Sequence, residues 1–287
     1  MLRYFGTTLF MAALLVLTAC QTEDTSEETT NTTDPEQQEE TQQPEAQTDE
    51  VEAIRMEKEG LTLYSHTTSP TFADASLVTL SPIEGAEVEA GEVQFRYEVK
   101  NYELGAQTEG AGENGLANSG KGQHIHAILN NQPYMAHYDP GFNKELEPGR
   151  YILLSFLSRS YHESVKSESA YDLLQFTVGE TDQPEADLTA PHLFYSRPKG
   201  TYSGVDTEKL LLDFYLVNCD LSPDGYQVKA TINGTEFMLS HWVPYVVEGL
   251  PKGEVSISLE LQDADGNTVD SPFNPVTRVV TLEEEAM

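Results

Sequence analysis

The sequence predicts an all-β chain: two β-sandwiches in tandem behind an export signal and an acidic tether. Three observations predict it. Beyond residue 53, short runs rich in Val, Tyr, Phe and Thr alternate with polar residues between Gly, Pro and Asn, the pattern of strands and turns. The same pattern returns about 100 residues later. The first 52 residues have a composition of their own, apolar and then acidic.

Arg3 opens residues 1–19, an apolar run occupies Leu9–Leu17, and Leu17-Thr-Ala-Cys20 closes it. The run is shorter than the ~20 apolar residues a spanning helix needs and reads as an export signal. A Cys directly after small residues resembles the bacterial lipoprotein lipobox, which implies cleavage before Cys20 and lipidation of Cys20. The absence of Asp at Gln21 favours the outer membrane, facing the periplasm or the cell surface. Residues 20–52 hold twelve acidic residues, no basic one and almost nothing apolar. Such a stretch is expected to stay a disordered, extended stalk.

The whole chain of 287 residues carries 16 Lys and Arg against 48 Asp and Glu, a formal charge of −32. That balance excludes a nucleic-acid partner, which needs basic patches. Two Cys exclude a disulfide scaffold. Residues 53–80 are a further strand or linker, with Gly60–Tyr64 extended. Val93–Asn101 is then echoed by Leu211–Asn218, His124–Asn130 by Gln227–Asn233, Pro133–Met135 by Glu236–Met238, and Leu146–Leu154 by Leu250–Ser258. The last three pairs share an offset of 103 to 104 residues. About 100 residues suits one immunoglobulin-like sandwich. The expected boundaries are 81–178 and 191–287, joined by a polar linker at 179–190 that leaves the two units separable.

No phosphate loop, nucleophile elbow or zincin motif is present, so the chain is expected not to be an enzyme. A metal-dependent hydrolase would lack a general base beyond Glu163. Asp263–Asn267 is a hairpin turn rather than a calcium loop, because its Gly stands fourth and not sixth. Cys219 is expected to be a buried small hydrophobe. Trp242 and Tyr245 are core residues or a sugar-stacking platform.

Four of the seven His lie in the first copy: His124, His126, His137 and His162. Side chains alternate along a strand, so His124 and His126 share the face opposite Ile125, Ala127 and Leu129. A two-residue turn at Asn130-Asn131, copied from Asn233-Gly234, would set His126 beside Met135 and His124 beside His137. Imidazole with thioether is a copper environment, with zinc the second choice. The expected metal ligands are therefore His124, His126, Met135 and His137, with His162 added from an end loop. That loop, Ser158–Ser164, carries Arg159, Tyr161 and Glu163 as candidate ligand-binding residues. A loop from Gly105 to Gly122, with six Gly, leads into His124 as a candidate lid. The competing expectation is an adhesion or assembly module that recognises another envelope protein or a glycan by its loops.

Gly122-Gln-His-Ile-His126, Asn131-Gln-Pro-Tyr134 and Ser158-Arg-Ser-Tyr-His-Glu-Ser164 resemble uncharacterised bacterial lipoproteins with immunoglobulin-like repeats. Some of these are labelled phosphopeptide-binding proteins. The resemblance covers residues 81–178. It implies a lipid-anchored envelope protein and, through the label, a phosphopeptide partner on a forkhead-associated-type sandwich. The ordered Gly-Arg, Ser and His signature of that fold does not occur here, and acidic residues outnumber basic ones in this copy.

Overall fold

The computed structural model describes residues 53–284. The expected signal, the lipidated Cys20 and the tether lie outside the described residues. Eighteen strands follow in order. They are β1 (Arg55–Lys58), β2 (Leu61–Ser65), β3 (Ser76–Ser81), β4 (Glu87–Val88), β5 (Gly91–Lys100) and β6 (His124–Leu129). Next come β7 (Met135–His137), β8 (Gly141–Leu146), β9 (Gly149–Ser158), β10 (Tyr171–Val178), β11 (His192–Arg197) and β12 (Thr201–Ser203). The last six are β13 (Leu210–Val217), β14 (Gln227–Ile232), β15 (Thr235–Leu239), β16 (Tyr245–Glu248), β17 (Gly253–Gln262) and β18 (Val276–Glu283).

The all-β sandwich expected from the sequence is present twice. In the first copy, sheet β3-β5-β8 faces sheet β4-β10-β9-β6-β7. In the second, β1-β2-β16-β13-β11 faces β12-β18-β17-β14-β15. Each strand of the first copy has its counterpart eight strands later, down to the parallel pairs β4–β10 and β12–β18. Phe95, Ile125, Ala127, Leu153, Leu157 and Phe176 fill the first core. Leu63, Leu212, Phe214, Val228, Ile257 and Leu259 belong to the second.

Residues 53–80 divide between the copies. The β1–β2 hairpin adds two strands to the second sandwich, where β2 pairs antiparallel with β16. The chain then crosses to begin the first sandwich at Ser76.

The outer faces of two sheets meet in a third apolar core. Ile128, Tyr134, Ile152, Leu154 and Phe156 of the first copy pack on Phe194, Tyr215 and Val217 of the second. This is why β6, β11 and β13 are buried at every position. By contrast β5, on an outer sheet, alternates buried and exposed. Antiparallel sheets with one wet face show that alternation, and sheets covered on both faces lose it. Residues 179–190 differ from the expected open linker. Gln175 exchanges two hydrogen bonds with the Ala186 backbone, and Ala186 and Leu188 pack against the third core.

Candidate metal centre between the sandwiches

β6 pairs with β9 so that His124 stands opposite Ser158, at the mouth of the 158–164 loop. His124 and His126 project from the outer face of their sheet, as alternation requires. That face is covered by the second sandwich, so both side chains are fully buried rather than solvated. His162 returns from the loop with φ at 70°, a left-handed turn closed by its N–H to the Arg159 carbonyl. The three rings converge. His124 Nε2 lies 2.8 Å from His126 Nε2 and 3.1 Å from His162 Nδ1. One ligand atom from each falls within 4.8 Å of the others.

Neighbours fix the ring orientations. His124 Nδ1–H donates to the Gly122 carbonyl at 2.8 Å, which leaves Nε2 as a lone pair toward the cluster. Gly122 has φ at 86°, and a Cβ there would sit 2.3 Å from the Gly105 carbonyl, so only glycine permits this approach. His126 Nδ1 meets Ser196 Oγ at 3.3 Å, and its ring stacks on Tyr134 at 3.5 Å between centroids. Ser196 belongs to the second copy, and its hydroxyl can donate or accept as the imidazole tautomer demands. Tyr134 Oη lies 3.3 Å from His162 Nδ1 and accepts from Arg197 Nη1 at 3.1 Å.

Burial, opposed by the Gly122 hydrogen bond, pulls His124 down to about 4. Burial first, then the neighbouring His124 and His162, holds His126 well below the usual range. Burial and the Arg197 charge do the same to His162. All three are therefore neutral imidazoles at neutral pH, the form that ligates a metal.

Met135 and His137 do not join them. The pairing is Ala127 with Met135 and Ile125 with His137, one residue away from the expected register. A one-residue slip exchanges faces. Met135 packs against the first core, and the His137 ring stacks on Phe142 at 3.4 Å. The cause is the turn. Asn233-Gly234 is a two-residue turn, with Ile232 opposite Thr235, as expected. In the first copy the Asn131 side chain is taken by the second sandwich. Its Nδ2 donates to the Leu193 carbonyl at 3.1 Å, and its Oδ1 accepts from Tyr195 N–H at 2.9 Å, along the free edge of β11. Asn130 and Asn131 both adopt positive φ, and one extra residue enters the loop.

Arg159, Tyr161 and Glu163 are also corrected. All three are buried and mutually satisfied. Arg159 donates to the carbonyls of Pro70 and Ser164 and pairs with Glu163 at 3.0 Å. Glu163 also meets His66 Nδ1 at 2.8 Å and accepts from Ser69 Oγ at 2.7 Å, while Tyr161 Oη donates to Ser69. These groups hold the His162 loop and present nothing to a ligand. Nor is the glycine-rich loop an open lid. Thr108 and Ser160 exchange hydrogen bonds that dock it on the same end loop.

Cys219 is half-buried, and burial pushes its thiol up to about 12. Trp242 donates to the Phe214 carbonyl and packs edge-on against Tyr215, while Tyr245 is fully buried. Both are packing residues rather than a sugar platform. Asp263–Asn267 closes on itself through the Asp263 carboxylate, a turn as expected.

Sequence reasoning missed Tyr134 as a neighbour of the cluster, although its motif was noted. It also missed Ser196, Arg197 and Lys199, which reach the site only because the copies pack face to face. At the equivalent place in the second copy stand Gln227, Lys229, Met238 and Ser240. Lys229 pairs there with Glu260, and Met238 is exposed.

No family model matches the chain, and no curated protein matches it. Among solved structures, fibronectin(III)-like modules of Clostridium thermocellum CbhA are 13% identical, over 72% of this chain and 94% of that one, with a TM-score of 0.26. The tandem V-type regions of the chitin-binding protein VCBP3 are 10% identical, over 73% and 99%, with a TM-score of 0.21. A Bacteroides ovatus glucan-utilisation protein, SGBP-B, is 14% identical, over 72% of this chain and 47% of its own, with a TM-score of 0.22. Likeness at this level assigns no activity, and function is argued from the residues.

Proposed function

We propose that the chain is a non-catalytic, lipid-anchored envelope protein of the outer membrane that holds a late first-row transition metal at His124, His126 and His162. The observation that carries the metal is the convergence of three neutral imidazole nitrogens, two from fully buried rings oriented by Gly122 and Ser196 and one from the half-buried His162. Three histidines with a further coordination position open is an established arrangement for such ions. Without Met135 the preference for Cu(I) goes, and a nitrogen set favours Cu(II), then Zn(II). Titration of untagged protein with Cu(II) and Zn(II) tests this. One equivalent should bind, and His124→Ala with His126→Ala should abolish it. Stoichiometric binding that survives the double substitution would overturn the assignment.

The anchor rests on the apolar run ending in Leu-Thr-Ala-Cys20. Cys20→Ser should move the protein from the membrane to the soluble fraction. Continued membrane partitioning would place the anchor elsewhere.

A second reading, docking to another envelope protein, is supported by Val78 and Leu80 on edge strand β3 and Ile83 just beyond it. Their exposures are 48%, 53% and 61%. Photo-crosslinking from position 80 in intact cells tests it, and the absence of a discrete adduct would argue against it.

A further inference from the structure

Beside the three histidines stands a group of cations that the metal alone does not explain. Arg197, Lys199 and Arg278, all from the second copy, are drawn together at the interface. Arg197 is 5% exposed and Arg278 8%. None of the three forms an ion pair among the described residues, in a chain with threefold more acids than bases. Their donors go to neutral groups. Arg278 donates to the Ser196 and Asn131 carbonyls, Lys199 to the Tyr134 carbonyl at 2.6 Å, and Arg197 to the Tyr134 hydroxyl. The Arg197 Nε–H is buried and has no partner. Aromatic faces supply the remaining contacts. Lys199 Nζ lies 3.7 Å from the Tyr134 centroid, Arg197 5.3 Å from that of Tyr202 and Arg278 4.4 Å from that of Tyr195.

As clamps between the sandwiches these side chains need only be donors, and neutral amides would serve. Three like charges brought together away from water repel one another, and buried charge persists where an opposite charge compensates it. The crowding is felt by Lys199, whose amine burial and the Arg197 and Arg278 charges pull down to about 8. A divalent metal on neutral imidazoles would add positive charge to the same place. Arg197 stands one hydroxyl from the ligand nitrogens, through Tyr134 Oη.

We propose that the metal held by His124, His126 and His162 takes a small oxyanion, a carboxylate or a phosphate, at its open position, and that Arg197 and Lys199 bind the same anion from the second sandwich. This rests on the metal assignment above. The anion would supply the missing ligand and the missing negative charge together. A forked guanidinium suits an oxyanion, and an ammonium adds a point charge.

Co(II), whose visible spectrum reports coordination number, is the probe. Full-length protein loaded with one equivalent is titrated with acetate and, separately, with inorganic phosphate. At least one should change the spectrum saturably, and the tighter of the two identifies the class. Lys199→Met and Arg197→Met should each weaken that anion roughly tenfold, a difference of about 1.4 kcal/mol. In anion-free buffer the same variants should bind Co(II) at least as tightly as the wild type, because a positive neighbour is gone. A purely structural role would not move the two affinities in opposite directions. Lys199 is less buried than Arg197, so its variant keeps the test open if Arg197→Met fails to fold. If Co(II) binds but neither anion alters the spectrum, the proposal falls and the metal site stands. The same holds if anion affinity is unchanged in the variants. If Co(II) does not bind, the metal assignment falls and takes the proposal with it.

Discussion

His126 has no freedom to turn away from the cluster. Its ring lies between Tyr134 and Phe156, with His124 at one nitrogen and Ser196 at the other. Substitution of one of the three histidines, or of a residue that holds one in place, should therefore act on metal affinity, and substitution in the first core should not. We expect His162→Ala to weaken Cu(II) or Zn(II) by tenfold or more. Ser196→Ala should cost roughly 10-fold, the lower end of outer-shell effects. Met135→Leu and His137→Phe should leave affinity unchanged, because both side chains belong to the first core. Competition titration against a chelator of known affinity separates the groups. An effect of His137→Phe as large as that of His162→Ala would mean that the register is wrong. His124 and His126 were legible in the sequence, because two histidines on one strand face resist a packing explanation. His162 was legible as a polar loop residue. Met135 and His137 were misread because their face depends on one residue of turn length.

At the scale of the element, that turn is decided from outside its own hairpin. The Asn233-Gly234 turn is local chemistry and could be read directly. The Asn130-Asn131 turn answers to β11, a strand more than 60 residues away in the chain whose edge amide and carbonyl the Asn131 side chain satisfies. Asn131→Ala would leave Tyr195 N–H and the Leu193 carbonyl unpaired in a buried place. We expect a loss of about 1–3 kcal/mol in chemical denaturation. Metal affinity should fall with it, since Tyr134 is carried by the same loop. A neutral effect on both would remove Asn131 from the account of the register. The Lys166–Asp213 pair, 2.7 Å across the interface, has a fully buried carboxylate that also accepts from Ser164. Asp213→Ala should cost about 3–5 kcal/mol, the penalty for leaving a buried partner unpaired.

On the scale of the whole molecule, the repeat was legible because each copy keeps its own strand order. The union of the copies was not, because the apolar residues of the third core, such as Phe156 and Tyr215, read equally well as core of their own sandwich. Limited proteolysis should therefore trim the chain to one fragment close to residues 53–284, without a cut at 179–190. Two fragments of similar size would contradict the shared core. Stability should also depend on pH. An unfolded imidazole titrates near 6.5, and burial lowers folded His124 to about 4. Between those values the unfolded chain binds a proton that the folded chain refuses. Stability contributed by the neutral histidines is thus complete above about pH 6.5 and is lost as pH falls toward 4. His137, also lowered to about 4, adds to the same slope. Thermal unfolding in chelator across this window should show a falling midpoint, and His124→Gln should flatten the fall. An unchanged slope in that variant would assign the dependence to other groups.

The hairpin of β1 and β2 has a consequence for the order of events at birth. In an exported chain threaded N-terminus first it emerges before any other described strand, yet its partner β16 follows only after about 180 further residues. The first sandwich can complete itself in the interval, because every strand it needs lies between Ser76 and Val178. The hairpin must meanwhile wait with one edge bare. Closing so long a loop is slow, since its entropy is lost before the contact rewards it. The second sandwich, and with it the cations that face the histidines, is therefore the last part of the molecule to exist. A chain cut short before Tyr245 would carry the three histidines and lack the strand that closes the sheet behind them.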